Sequence, residues 1–381
     1  MALTGRPTVM LAVLIATLFP VALVLFWNRL RARGPRYVLR TVLLFGSQLS
    51  AIALVAILVN DAGNFYTSWR ELLGERHTLR QLSAAPGNQD GALVARLAED
   101  RRRGHGTVVS LAIPSTSRGI GTYRALVYLP AQYGMAAYQN RTFPVVELIA
   151  GSPGTPQTWT HSLAVAAKLD AEIKAGRSVP LIAVMPTQDV AGGRDTQCVD
   201  VVGGPAVDHY LTVDVRSAIT RAYRANSESS AWALMGYSSG GFCATNLAMR
   251  HPDYFSSAVS LAGYGRPAHD HQTGELFGNS TQLRNLNTPL WRAKNLPPPD
   301  IALLLIASRQ DPQTARDARD LVAEAVSPLS VSTLTLHHGG HNFEVWRAEE
   351  PIAFAWLSRR LTGPLAPPPL LDNMEPSAAA Q

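Results

Sequence analysis

The stretch Ala231-Trp232-Ala233-Leu234-Met235-Gly236-Tyr237-Ser238-Ser239-Gly240-Gly241-Phe242-Cys243 decides the fold. A short apolar run ends in Gly-x-Ser-x-Gly, and a helix-like segment from Phe242 to about Arg250 follows. A strand that turns sharply into a helix puts a serine at the apex, with Oγ exposed and the next backbone N–H free. Gly236 and Gly240 are small enough for strand, turn and helix to pack that closely. A Gly/Ser turn without chemistry would show the same short pattern. The partners downstream separate the two.

Working outward, strand-like apolar runs recur at 107–113, 123–129, 143–149, 179–185, 231–236, 258–261, 301–306 and 329–336. Helix-like segments separate most of them, at 158–175, 208–224, 242–250 and 314–325, with a last helix over 350–361. Strands alternating with helices imply a mostly parallel sheet with helices on both faces. No helix separates the first two runs, so an antiparallel hairpin is expected at one edge. Residues 264–296 break the alternation. They are polar, carry Pro and Asn, and read as an insertion that caps the site.

The catalytic domain is expected over 106–362, and a disordered Pro- and Ala-rich tail over 363–381. Upstream, Pro7 to Trp27 and Thr41 to Asn60 carry no charge, and each is long enough to cross a ~30 Å hydrocarbon core. A cleaved signal peptide is the alternative for the first, but no small-residue cleavage site stands out. Residues 1–60 are therefore read as a two-span transmembrane hairpin. Arg29, Arg31, Arg33, Arg36 and Arg40 crowd the short link between the spans, which places that link in the cytoplasm. Everything after Asn60 is then extracytoplasmic, on the outer face of the cell membrane. Residues 61–105 form a spacer with helical spacing at 68–82 and 92–102, broken at Ala85-Pro86-Gly87-Asn88.

Composition narrows the function classes. The chain of 381 residues is 46% hydrophobic, ample for a core. The net charge is +6, but Arg carries it, and Lys occurs only at Lys168, Lys174 and Lys294. No basic stripe interleaves with aromatics, so no nucleic-acid partner is expected. The two cysteines, Cys198 and Cys243, rule out a Cys-rich zinc scaffold. With the domain outside the cytoplasm, a disulfide between them is expected, pinning the loop of Cys198 beside the nucleophile helix. Two unlinked thiols are the alternative.

A serine hydroxyl is a weak nucleophile near neutral pH, so it needs a base in reach and a group to orient that base. In the α/β-hydrolase arrangement these follow in the order Ser, acid, His, each after a later strand. Asp311 is the acid candidate, in the loop Ser308-Arg309-Gln310-Asp311-Pro312, although it could serve only as a helix N-cap. Asp317 and Asp320 fall inside the next helix, where they face solvent. His341 is the base candidate, in His337-His338-Gly339-Gly340-His341, where two glycines double the loop back over the sheet. His337 and His338 lie at the strand end before that turn. No acidic residue or cysteine stands at ligand spacing beside these histidines, and His269-Asp270-His271 reads as a solvated loop, so no metal is expected. No cofactor is required by this chemistry. The oxyanion hole needs two N–H groups. Ser239 supplies one, and Ser152 in Ala150-Gly151-Ser152-Pro153-Gly154 the other, because Pro153 has no N–H; a plain Gly/Pro turn is the alternative there.

On the segments Gly236-Tyr237-Ser238-Ser239-Gly240-Gly241, Asp195-Thr196-Gln197-Cys198-Val199-Asp200 and Gly339-Gly340-His341-Asn342-Phe343-Glu344-Val345-Trp346, the chain resembles the putative-esterase family. That family of α/β-hydrolases includes esterase D-type carboxylesterases and secreted mycolyltransferases. The resemblance covers roughly 108–361 and implies Ser238 as nucleophile, His341 as base and an acid in the loop of Asp311. The mycolyltransferases use a Glu as acid, so Asp311 leans towards the esterase side. The two spans are not part of the family pattern.

The expectation is a membrane-anchored extracytoplasmic serine esterase that cleaves small-molecule or lipid carboxylic esters through an acyl-enzyme. An acyltransferase moving acyl chains between envelope lipids or sugars is the near alternative. A non-catalytic hydrolase-like envelope domain is the distant one, and a peptidase on the same fold is a third reading for which nothing marks a propeller domain or a binding site for a peptide terminus. Oligomeric state is not legible.

Overall fold

The computed structural model describes residues 6–27, 33–63 and 91–364. The chain divides into two compact units, Met1–Leu79 and Arg80–Gln381.

The first unit holds α1 (Arg6–Phe26) and α2 (Arg33–Gly63). Both are long and apolar enough to cross a membrane, over Pro7–Phe26 and Arg36–Asn60. Most of their large apolar side chains face outward, from Met10 and Leu14 to Phe45 and Ile52. They pack on each other at a glycine: a Cβ on Gly46 would lie 2.3 Å from the Phe19 ring. Arg40 closes the short link by donating to the Trp27 carbonyl, with its guanidinium 4.1 Å from the centre of the Trp27 ring. The spacer helix expected at 68–82 lies outside the described residues, as do residues 365–381 of the tail.

The second unit opens with α3 (Gly91–Arg102) and is organised on an eight-stranded sheet, order β1-β2-β4-β3-β5-β6-β7-β8. The strands are β1 Thr107–Ile113, β2 Tyr123–Leu129, β3 Val145–Ile149, β4 Ile182–Met185, β5 Trp232–Tyr237, β6 Ser257–Leu261, β7 Ala302–Ser308 and β8 Ser330–Leu336. As expected, β1 and β2 form an antiparallel edge hairpin, with Thr107 opposite Leu129 and Ile113 opposite Tyr123. β2 meets β4 antiparallel, and β4-β3-β5-β6-β7-β8 run parallel. Side chains of β3, β5 and β6 are buried along their whole lengths, as a parallel sheet covered on both faces requires. This is the α/β-hydrolase fold.

Helices cover the faces: α4 (Pro156–His161), α5 (Val165–Lys174), α6 (Val207–His209), α7 (Arg216–Ala222), α8 (Ser239–Arg250), α9 (Thr281–Leu286), α10 (Pro289–Asn295), α11 (Pro312–Glu324) and α12 (Phe343–Ser358). Three differ from the sequence expectation. The segment 158–175 is two helices, broken where Ala164 takes the left-handed φ of 55°. The segment 208–224 contains a π-helical turn, Tyr210–Val215, between α6 and α7. The last helix begins at Phe343 rather than 350, because Asn342 caps it by accepting from the Glu344 and Val345 N–H groups. The insertion 264–296 carries α9 and α10, and its first turn is tied down by Asp317 of α11, whose carboxylate accepts the Gly265 N–H at 2.9 Å. Asp317 is thus an anchor for the insertion rather than a solvent-facing residue.

Two carboxyls are buried in this unit with neither oxygen hydrogen-bonded. Glu147 lies at the centre of β3 and Glu350 on α12, and both are fully out of water. Burial pushes each carboxyl well above the ordinary glutamate range.

Candidate active site

Ser238 stands between β5 and α8 with φ 56° and ψ −125°, a strained conformation for a residue with a side chain. The strain is held by close packing. A Cβ on Gly236 would fall 2.0 Å from the Gly240 carbonyl oxygen, and one on Gly240 would fall 2.2 Å from that of Ile149. Only glycine allows turn, helix and β3 to meet there. The Ser238 N–H is spent on the Leu261 carbonyl at 2.9 Å, which ties the turn to the end of β6.

The structure brings His341 and Asp311 to this serine. His341 Nε2 lies 2.8 Å from Ser238 Oγ, and His341 Nδ1 lies 2.7 Å from Asp311 Oδ2. The three residues come from loops after β5, β7 and β8, at the same end of a parallel sheet. Asp311 stands at the N-cap position of α11 yet makes no side-chain cap bond, so its carboxylate is available to the imidazole. The loops of Asp311 and His341 are stitched together by the Gly339 N–H, which donates to Gln310 Oε1 at 3.0 Å. Gly339 has φ 103°, a conformation suited to glycine, and a Cβ there would strike Val345 at 2.4 Å. Trp346 packs edge-on against the His341 ring at 5.0 Å and stacks on Tyr237 at 4.8 Å. Sequence spacing singled out Trp346 only as part of a motif; its role as a wall for the imidazole arises from the fold. His337 and His338 follow β8 and are exposed.

The loop after β3 runs beside the serine. A Cβ on Gly151 would lie 2.9 Å from Ser238 Cβ. The Ser152 N–H, expected to point at a substrate oxygen, donates instead to Ser239 Oγ at 2.7 Å. The Ser239 N–H has no acceptor among the described residues.

Cys198 and Cys243 are joined by a disulfide, with Cα atoms 5.6 Å apart. It fastens loop 195–200 to α8, and Gln197 and Cys198 both take positive φ in that loop. Asp195 accepts the Gln197 N–H at 2.9 Å and the Gln197 side-chain amide at 2.5 Å. Gln197 Oε1 in turn accepts from the Tyr264 hydroxyl at 2.8 Å and the Ala268 N–H at 3.2 Å, which docks the insertion on this loop. Burial outweighs these bonds and raises the Asp195 carboxyl above the usual aspartate range. In the insertion, Asp270 of His269-Asp270-His271 caps its own turn, accepting from the Gln272 and Thr273 N–H groups.

Comparisons agree with this architecture. Residues 119–360 match the family model described as "Putative esterase". An uncharacterized protein of Corynebacterium glutamicum is 26% identical over 339 residues, covering 82% of this chain and 76% of its own. Among solved structures, a ferulic acid esterase superposes with TM-score 0.57 at 19% identity, covering 68% of this chain and 98% of that one. An S-formylglutathione hydrolase from Agrobacterium tumefaciens follows with TM-score 0.56 at 15% identity, over 68% and 96%. At those identities the likeness is one of fold.

Proposed function

This chain belongs to the putative esterase family, as an esterase-type hydrolase of the α/β-hydrolase fold, and from that premise we propose that it is a serine esterase with Ser238 as nucleophile. The observation that carries the reading is the continuous hydrogen-bonded chain from Ser238 Oγ through His341 to Asp311. His341 Nε2 takes the hydroxyl proton as Oγ attacks the ester carbonyl carbon. Asp311 fixes the tautomer that leaves Nε2 free to accept, then stabilises the imidazolium. The tetrahedral oxyanion is held by the backbone N–H groups of Ser239 and Ser152. Its collapse breaks the ester C–O bond: the alcohol departs with the proton from His341, and the acyl group remains on Ser238 Oγ. Water, deprotonated by the same imidazole, then releases the acid.

The catalytic domain is assigned to the outer face of a membrane, anchored by α1 and α2. Two features support this. The Arg residues of the link between the helices favour a cytoplasmic link. The Cys198–Cys243 disulfide suits an oxidising compartment on the other side.

The test is turnover of p-nitrophenyl esters by the full chain and by Ser238→Ala. Turnover lost in the variant supports the reading, and turnover that survives the substitution refutes it. Repeating the assay with added alcohols, and counting transfer against hydrolysis, assigns the acceptor.

A further inference from the structure

The loop amide assigned to the oxyanion hole already has an acceptor. The Ser152 N–H donates to Ser239 Oγ, the side chain immediately after the nucleophile. One N–H gives a full-strength bond to one acceptor, so a substrate oxygen that takes this donor must replace that hydroxyl. The hydroxyl has somewhere to go. It also lies beside the Asp195 carboxylate and the Tyr264 hydroxyl, close enough to act on both. Both of those groups are held by Gln197, on a loop fastened to α8 by the disulfide.

The Ser239 contact is not what shapes the loop. The Gly154 N–H closes the turn onto the Gly151 carbonyl at 2.5 Å, and Gln188 Nε2 donates to the Gly154 carbonyl at 3.1 Å. Gly151 itself is wedged against Tyr237 and Ser238. With the turn built independently, the hydroxyl acts at the Ser152 N–H as a competitor rather than as scaffolding.

We propose that the Ser239 hydroxyl is a resident occupant of the oxyanion hole, filling the place of the substrate's carbonyl oxygen between turnovers and yielding it to Asp195 and Tyr264 when an ester enters. This rests on the serine-esterase reading of the site. The exchange leaves no polar group orphaned: the incoming oxygen takes the Ser152 N–H, and the displaced hydroxyl keeps a partner below. A developing oxyanion wins that exchange more readily than a neutral carbonyl, because a charged acceptor makes the stronger bond. The bond given up to the occupant is the same for bound ester and for transition state, so the occupant lowers kcat/KM by the value of that one bond.

Removing the occupant should speed the enzyme. The experiment compares the full-length wild type with Ser239→Ala, which keeps the backbone N–H of residue 239. Two constants are read: kcat/KM for a p-nitrophenyl ester, and the second-order rate of Ser238 labelling by a fluorophosphonate, located by peptide mass. One lost competing hydrogen bond predicts that both rise by about three- to tenfold. An unchanged or lower value for both in a variant with wild-type melting behaviour overturns the proposal, since it would make the hydroxyl a bystander or a support. Ser239→Gly asks the same question should the alanine variant not fold. A wild type that is not labelled at Ser238 refutes the serine-esterase reading and this inference with it. A labelled wild type with no gain in either variant overturns only the occupied hole.

Discussion

Replacing Asp311 by Asn removes one charge and almost nothing else. The carboxylate stands 2.7 Å from His341 Nδ1, and it makes no cap bond to α11. Asn is as good an N-cap as Asp, so the fold should hold. What is lost is the partner of the imidazolium that forms as Ser238 gives up its proton. Opposite charges with centres about 4 Å apart are worth about 4 kcal/mol at an effective dielectric of about 20. His341 is 39% exposed and Asp311 14%, so solvent trims that figure to about 2–4 kcal/mol. At 1.36 kcal/mol per decade this is a loss of about 30- to 1,000-fold in kcat. The amide can also present its NH2 to Nδ1 and favour the tautomer with the proton on Nε2, which extends the upper end to about 10⁴-fold. The assay is steady-state hydrolysis of a p-nitrophenyl ester at pH 7–8, with thermal unfolding as the control. A fall in kcat of less than about tenfold, at unchanged melting temperature, would refute the role given to Asp311.

Breaking the Cys198–Cys243 link by a double alanine substitution releases a loop of 45 residues' separation and should lower stability by about 2–4 kcal/mol, read as a drop in the urea midpoint; a drop equally large when the wild type is merely reduced confirms the source. Gly240→Ala drives a Cβ to 2.2 Å from the Ile149 carbonyl oxygen and 2.6 Å from that of Ala150, so stability should fall by about 3 kcal/mol, measured by denaturant unfolding, and ester turnover should fall with it. Glu147 has a folded-state pKa raised by burial, so its protonated form contributes stability that is fully present below the ordinary glutamate range and is lost as pH rises through the raised value. Glu147→Gln should therefore remove a slope of up to about 1.4 kcal/mol per pH unit from the alkaline side of the stability profile; a slope identical to wild type would show that the carboxyl is not buried as a neutral acid.

Runs of apolar residues made the sheet legible, because strands buried on both faces, such as Trp232–Tyr237, are nearly free of polar side chains, and Val145–Ile149 keeps that character on either side of Glu147. The β1–β2 hairpin was legible for a related reason, since no helix-length segment separates the two runs. Interruptions of helices were not. Ala164 carries none of the residue signals for a left-handed break, and the π turn at Tyr210 follows from packing. The last helix starts seven residues before the expected 350, at Phe343, because Asn342 is the cap. The two short helices of the insertion, of six and seven residues, were not legible, because such lengths are too few for periodicity to register.

Of the site, Ser238, Asp311 and His341 were legible because each follows its own strand in the expected order, and chain order is what a sequence records. The partner of the Ser152 N–H was not legible. It depends on a side-chain rotamer of Ser239 and on Asp195 and Tyr264, which come from loops 44 and 25 residues away from that serine in either direction. Such convergence leaves no mark on local pattern.

The most direct measurement of the central claim is the peptide mass of the full chain after brief exposure to a fluorophosphonate, with His341→Ala run in parallel. A single adduct on Ser238 in the wild type, absent or slowed by orders of magnitude in the variant, is the predicted result. An adduct on another residue, or labelling of Ser238 at the same rate without the imidazole, would contradict it.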